Sequence, residues 1–386
     1  MMSTTAGPDP DQTDHDPRPE DEATSSVAET GPESDADEAG VEEDAPVEAA
    51  PAVATKAPAV SGDELEQAAA LAAASERVRS EVAKVIVGQS RVVDHLLIAL
   101  FSRGHSVFIG VPGLAKTLLV STMARVLDLG FSRIQFTPDL MPADITGTEV
   151  LEEDKGSGRR SFRFVPGPLF ANVILADEVN RTPPKTQADL LQAMQEREVS
   201  SGGTNHALPD PFLVFATQNP IEQEGTYPLP EAQLDRFMLS VQVSYPSEAE
   251  EVRIVEETTS DKRQDVERVL SAEDILGFQE LVRRVPISER LAQSAVRLVR
   301  ATRPGEVQDE YVRKWVEWGA GPRASQNLVL AAKARALISG RHAVSDEDLR
   351  ELAPAVLGHR VVVNFRAEAE GLGSGDIVEH VLRKHS

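Results

Sequence analysis

The chain has 386 residues, a net charge of −24 and no cysteine. Disulfides and thiolate metal sites are therefore excluded, and an acidic chain offers no overall basic field to nucleic acid. No apolar run reaches the ~18 residues of a membrane-spanning helix, and the acidic, polar start does not read as a signal peptide, so the expected location is cytoplasmic.

The charge is uneven. Residues 1–62 hold 16 Asp or Glu against 2 Lys or Arg, a net of −14, which leaves −10 for residues 63–386. This segment is rich in Asp, Glu, Pro, Ala, Ser and Thr and has too little apolar area to offset its ordering entropy. It reads as a disordered acidic tail, with an acidic docking arm as the alternative. Helical spacing begins near Glu64, where Val78, Val82 and Val85 share a face, and a second helix carries Val92, Val93, Leu96, Leu97 and Leu100. A short apolar strand, Val107 to Ile109, then meets a Gly-rich turn. A helix through Leu119, Met123 and Val126 follows, with Gly130 as its expected stop.

Further buried strands are expected at 134–136, 173–175, 213–217 and 239–243, with helices between several of them. That alternation predicts a mostly parallel sheet covered on both faces. After Pro246 the strand signals fade, and helices are expected from near Glu248, Ser271, Ser288, Ser325 and Ser345. Ser271 with Asp274 and Ser345 with Asp348 have capping-box spacing. The expected organisation is a tail over 1–62, an α/β nucleotide-binding domain over 63–246 and a helical lid over 247–386.

Four motifs carry chemistry. Gly110, Val111, Pro112, Gly113, Leu114, Ala115, Lys116 and Thr117 lie between a strand and a helix, as a phosphate-binding loop must. Small residues let backbone N–H groups turn inward, Lys116 reaches the β- and γ-phosphates of ATP, and the Thr117 hydroxyl ligates Mg²⁺. Ala115 departs from the pattern, which has glycine before the lysine. About sixty residues on, Val173 to Ala176 run into Asp177 and Glu178. Asp177 would hold Mg²⁺ and Glu178 would polarise water, with strand-capping acids as the plain alternative. Phe215 to Gln218 then lead into Asn219, placed to meet water or the γ-phosphate. The fourth is the Leu-Pro-Glu-Ala-Gln-Leu-Asp-Arg-Phe run from Leu229 to Phe237.

In this order, with Gly319 to Arg323 following, these motifs resemble the MoxR branch of AAA+ ATPases, relatives of the magnesium chelatase ATPase subunit. The resemblance covers roughly residues 75–386. It implies a P-loop AAA+ core with a five-stranded parallel sheet and a small helical lid. It also implies that Asn219 is sensor 1 and that Val87 and Gly88 lie near the adenine. Arg236 would be an arginine finger acting on a neighbour's ATP. Arg323 would be the sensor-2 arginine, reaching its own subunit's γ-phosphate. Arg181 matches an interface position. Residues 137–170 match the family's helix-2 insert, and 199–212 a hairpin before sensor 1.

The resemblance further implies a hexameric ring that hydrolyses ATP to remodel or activate a protein client, often with a von Willebrand factor A domain partner. Two other classes compete. A nucleic-acid motor would need a basic hairpin, and Ser201 to His206 holds no Lys or Arg. A nucleotide-gated scaffold with little turnover is opposed by the presence of Glu178 and Arg236.

Overall fold

The computed structural model describes residues 62–153, 160–219, 225–259 and 264–385. The acidic segment lies outside them, except for Gly62, which opens the first helix. Helices α1 (Gly62–Ala83) and α2 (Ser90–Phe101) precede strand β1 (Ser106–Ile109) and helix α3 (Lys116–Val126). Strand β2 (Phe131–Gln135) leads to a short helix, α4 (Pro142–Thr146), and the hairpin β3 (Gly147–Glu153) with β4 (Arg160–Pro166). Strand β5 (Val173–Asp177), helix α5 (Pro184–Glu196) and a second hairpin, β6 (Glu198–Ser201) with β7 (Thr204–Ala207), follow. Strand β8 (Leu213–Gln218), helix α6 (Glu231–Leu234) and strand β9 (Leu239–Gln242) complete the α/β part.

The central sheet has the order β2-β5-β8-β1-β9, and every pairing in it is parallel. Successive side chains of a strand point to opposite faces, and both faces are covered here. Val173 and Leu175 of β5 join one apolar cluster with α1, α2 and α3, while Ile174 and Ala176 join the other, with Leu190 and Met194 of α5. A strand buried on both sides cannot show alternating polarity, which is why these segments read as unbroken apolar runs.

The C-terminal part contains α7 (Glu248–Thr258), α8 (Ala272–Arg284), α9 (Glu289–Arg300), α10 (Glu310–Trp315), β10 (Val316–Trp318) and α11 (Pro322–Ile338). The chain ends through α12 (Asp346–Leu357), β11 (Val362–Val363), α13 (Phe365–Ala369) and α14 (Ser374–Lys384). Capping boxes at Ser271/Asp274 and Ser345/Asp348 start α8 and α12, and a third, Ser247/Glu250, starts α7. The first apolar cluster is continuous from α1 and α2 into α8 and α11. Buried Gln279 of α8 donates to the Leu100 carbonyl of α2 at 2.8 Å, so these C-terminal helices share a core with the start of the α/β part.

Three local expectations need correcting. Helix α3 is not closed by Gly130: its C-cap is Leu127, and Asp128 takes the left-handed conformation at φ 48°. A short polar side chain tolerates that region. Gly130 instead donates its N–H to Asn172 Oδ1 at 3.1 Å. The helix expected from Ser325 begins at Pro322, whose missing N–H costs nothing in a first turn. Finally, the lid is not all helical, since β10 and β11 pair antiparallel. Two three-residue-or-shorter strands carry too little pattern to read.

Candidate active site

The phosphate loop runs from the end of β1 to the start of α3. A Cβ on Gly110 would lie 2.7 Å from the Val243 carbonyl, so no larger residue fits this approach of β1 to β9. Lys116 folds back over the loop and donates to the carbonyls of Gly110 (2.6 Å) and Val111 (3.1 Å). Burial lowers the Lys116 pKa, while Asp177 and Glu178 nearby oppose the shift. Ala115 caps α3 in the left-handed conformation at φ 54°, so the missing glycine is a real backbone strain rather than an added methyl contact. Gln89 is left-handed too, at φ 57°, and its amide donates to the Leu114 carbonyl at 3.1 Å. That bond joins the Val87–Gly88 segment to the loop. Beside them opens a cleft of about 460 Å³, lined by Ile86, Val87, Leu114, Leu118, Ile254 and Thr258 among others. Its apolar walls suit a purine ring, and α7 forms one side.

Asp177 ends β5, and its two oxygens are divided. Oδ1 accepts from the Thr217 hydroxyl on β8 at 2.7 Å; Oδ2 accepts from Arg133 on β2, through Nη2 at 2.6 Å and Nε at 3.1 Å. Glu178 follows in the left-handed conformation at φ 56°, with its N–H donated to Thr217 Oγ1 at 2.8 Å. Its Oε2 accepts from Gln135 on β2 (2.7 Å) and from Arg181 (2.9 Å). Buried Gln187 of α5 supports this turn by donating to the carbonyls of Val179 and Thr182. Asn219, 7% exposed, stands directly past β8. Thus Lys116, Thr117, Asp177, Glu178 and Asn219 all occupy the C-terminal ends of neighbouring parallel strands or the loops leaving them. Open α/β sheets bind ligands at that edge.

Sequence reasoning missed Arg133, Gln135 and Thr217 as partners of the two carboxylates. A signal existed for the first two: they sit two apart in a strand beside β5, with buried Ile134 between them, so both side chains share a face.

Arg236 and Arg323 lie elsewhere. Met238 donates its N–H to the His105 carbonyl at 2.7 Å, so the turn holding Arg236 meets the sheet at the N-terminal end of β1. From His105 to Gly110 a strand spans ~16 Å, at ~3.3 Å per residue. Arg236 donates to the Leu191 carbonyl of α5 at 2.7 Å. Arg323 stands in the first turn of α11. Its Nη1 lies 3.0 Å from Asp235 Oδ2, beside Arg236. The turn before Arg323 fixes it there: Ala320 donates to Thr302 Oγ1 at 2.9 Å and accepts from Arg303 at 2.9 Å.

Residues 105–239 match the model of the ATPase family associated with various cellular activities (AAA), and residues 308–381 match an AAA lid domain. The chain is 46% identical over 309 residues to Chaperone MoxR1 of Mycobacterium tuberculosis, covering 80% of this chain and 81% of that protein. This chain belongs to the MoxR family of AAA ATPases. Protein MoxR of Methylorubrum extorquens is 34% identical, covering 75% of this chain and 87% of that one. A crystal structure assigned as an ATPase from Cytophaga hutchinsonii superposes with a TM-score of 0.77 at 44% identity, covering 83% of this chain and 96% of its own. In MoxR terms the five-stranded parallel core and the lid are the expected pair of parts. Among the described residues no helix is long and apolar enough to cross a membrane.

Proposed function

We propose that this MoxR protein hydrolyses ATP at an interface between two of its own copies, in a closed head-to-tail assembly of six. One observation carries the reading. Lys116, Asp177 and Glu178 stand at one end of the sheet, and Arg236 with Arg323 stands at the other, so one chain alone offers an incomplete charge-neutralising set. Head-to-tail packing completes it, because the second end of one copy then faces the first end of the next.

The chain's own groups divide the work. The loop N–H groups and Lys116 bind phosphate oxygens, and the cleft beside Val87 and Ile254 takes the base. Thr117 and Asp177 would hold Mg²⁺, which neutralises phosphate charge when bound; the hydroxyl-plus-carboxylate set suits that hard cation. Glu178 polarises the attacking water once it is released from Gln135 and Arg181. Asn219 helps place that water. The neighbour's Arg236 and Arg323 stabilise charge on the transferring phosphoryl group, so both arginines act in trans.

The output is mechanical work on a protein client; the mycobacterial relative is named a chaperone. The two hairpins support a protein rather than a nucleic acid. Phe164 of β4 stacks on His206 of β7 at 3.9 Å. Beyond that contact the cross-strand pair Leu151 and Phe162 stays exposed, at 51% and 70%, with Glu149, Glu152 and Glu153 close by in sequence. The exposed apolar pair suits an unfolded peptide segment, while Glu152 and Glu153 are already paired with Arg163 and Arg160. The setting is cytoplasmic, with a von Willebrand factor A domain protein as adaptor, and the domain limits are those read from the sequence.

The test is specific ATPase activity against protein concentration. Activity per chain should rise through the range in which light scattering detects assembly, and Glu178→Gln should bind ATP without turnover. Equal activity per chain in a dilute monomer would refute the shared site.

A further inference from the structure

The residue before the finger, Asp235, is itself divided between two arginines. Oδ2 accepts from Arg323 at 3.0 Å and Oδ1 from Arg360 Nε at 2.7 Å. The Arg360 side chain is 2% exposed. It spends its other donors on backbone: Nη2 reaches the carbonyls of Phe237 (2.6 Å) and Asp235 (3.0 Å), and Nη1 those of Met238 (3.2 Å) and Val356. His359 Nε2 adds a contact to the Phe237 carbonyl at 2.9 Å. One buried guanidinium past the end of α12 thus collects the whole backbone turn from Asp235 to Met238.

Burying a charge is costly, and well-packed apolar residues of similar volume hold a fold together as well or better. A planar fork of five donors does something an apolar residue cannot: it fixes several oxygens in direction. What it fixes here is the segment bearing Arg236 and, through the other oxygen of Asp235, the first turn of α11 bearing Arg323.

We propose that Asp235 and Arg360 are positioning residues that hold Arg236 and Arg323 as one rigid pair aimed at the neighbouring subunit's ATP. They touch no substrate. Their effect is on the site of the next chain, never on their own. The proposal rests on the shared-site reading above.

Mixed assemblies of full-length variants test it. Glu178→Gln supplies intact arginines but a dead site, and Arg236→Ala supplies an intact site but no finger. Activity recovered on mixing comes only from interfaces that pair the two. Adding Asp235→Asn to the Glu178→Gln chain should cut the recovered turnover roughly tenfold, the size of one lost charge-assisted bond. Adding it to the Arg236→Ala chain should leave recovery within about twofold, although the fold is equally disturbed. The KM for ATP should not move in either case. Arg360→Lys keeps the charge, cannot span the same oxygens, and should repeat the pattern; it also decides the matter if Asp235→Asn does not fold. Equal losses in both placements, or no loss in either, would overturn the proposal. No recovery from the unmodified pair would remove the shared site and this proposal together, whereas recovery that ignores Asp235 and Arg360 would remove this proposal alone.

Discussion

The segments around the phosphate loop and the turn bearing Arg236 are built on opposite terms, although the end of the sheet that holds this turn also carries left-handed Arg103 just before β1. At the phosphate-loop end, Gln89, Ala115 and Glu178 are non-glycine residues in the left-handed region, at φ 57°, 54° and 56°. Each such residue costs on the order of 1 kcal/mol. Besides buried Thr217, the carboxylates there have exposed partners that can leave, such as Arg133 at 48% exposure. At the other end, the turn from Asp235 to Met238 has no left-handed residue, and its anchor Arg360 is buried with its donors spent on five oxygens. On the proposed shared site, the groups that regroup around a bound phosphate are strained and loosely paired, and those aimed at another chain are rigid.

The largest effect expected is kinetic. Arg236→Ala should lower hydrolysis by on the order of 10³–10⁵ while ATP binding stays within a few-fold, since a finger acts on the transition state. Nucleotide titration beside a steady-state assay measures both. Next comes stability. Arg360→Met leaves Asp235 half-buried without its main cation and should cost ~3–5 kcal/mol in urea unfolding. Arg133→Ala removes a half-exposed partner of Asp177, whose other oxygen keeps the Thr217 hydroxyl, and should cost only ~1–2 kcal/mol. Similar values for the two would erase the distinction between the ends.

Acid should act through three histidines. Burial is the main cause that lowers His95 and His105 to about 4 and His359 to about 3, from 6.5. His105 is locked neutral, accepting from the Val214 N–H at 3.0 Å and facing the Met194 carbonyl at 3.1 Å. The folded chain then resists a proton that the unfolded chain accepts. Stability is complete above 6.5 and falls as pH drops toward 4, by up to ~1.4 kcal/mol per pH unit for each histidine. Unfolding free energies at pH 7.5, 6 and 5 check this, and a flat profile would contradict it. The smallest effect is at the strained loop: Ala115→Gly should stabilise by up to ~1 kcal/mol, relief of the left-handed conformation outweighing the added chain entropy. A lower melting temperature would show that Ala115 is not strained.

The legible parts of the site were those in which chemistry and sequence order coincide. Lys116 and Thr117 follow a glycine loop, and Asp177 and Glu178 end an apolar strand, so local chain geometry alone brings them to one sheet edge. The largest miss in strand limits, three residues at the start of β2, fell on an edge strand whose first residues, Phe131 to Arg133, are partly exposed and form no apolar run. The partners of the carboxylates were harder, since Arg133 and Gln135 reach them only through the β2–β5 pairing. Arg360 was not legible at all: it lies 125 residues from Asp235 and belongs to no motif. Arg323 was picked out by its motif, yet its surroundings depend on Thr302, Arg303 and Asp235, all distant in the chain. The motif could not say which subunit's phosphate it faces.

The central claim is that each ATP site is shared between two chains. Mixing Glu178→Gln with Arg236→Ala in equal amounts tests it directly. Each is inactive alone, and in randomly mixed head-to-tail rings about a quarter of the interfaces pair an intact Glu178 with an intact Arg236. ATPase activity should therefore return, at up to about that fraction of the unmodified protein. Mixed rings that form and stay inactive, or an Arg236→Ala protein that is fully active by itself, would contradict the account.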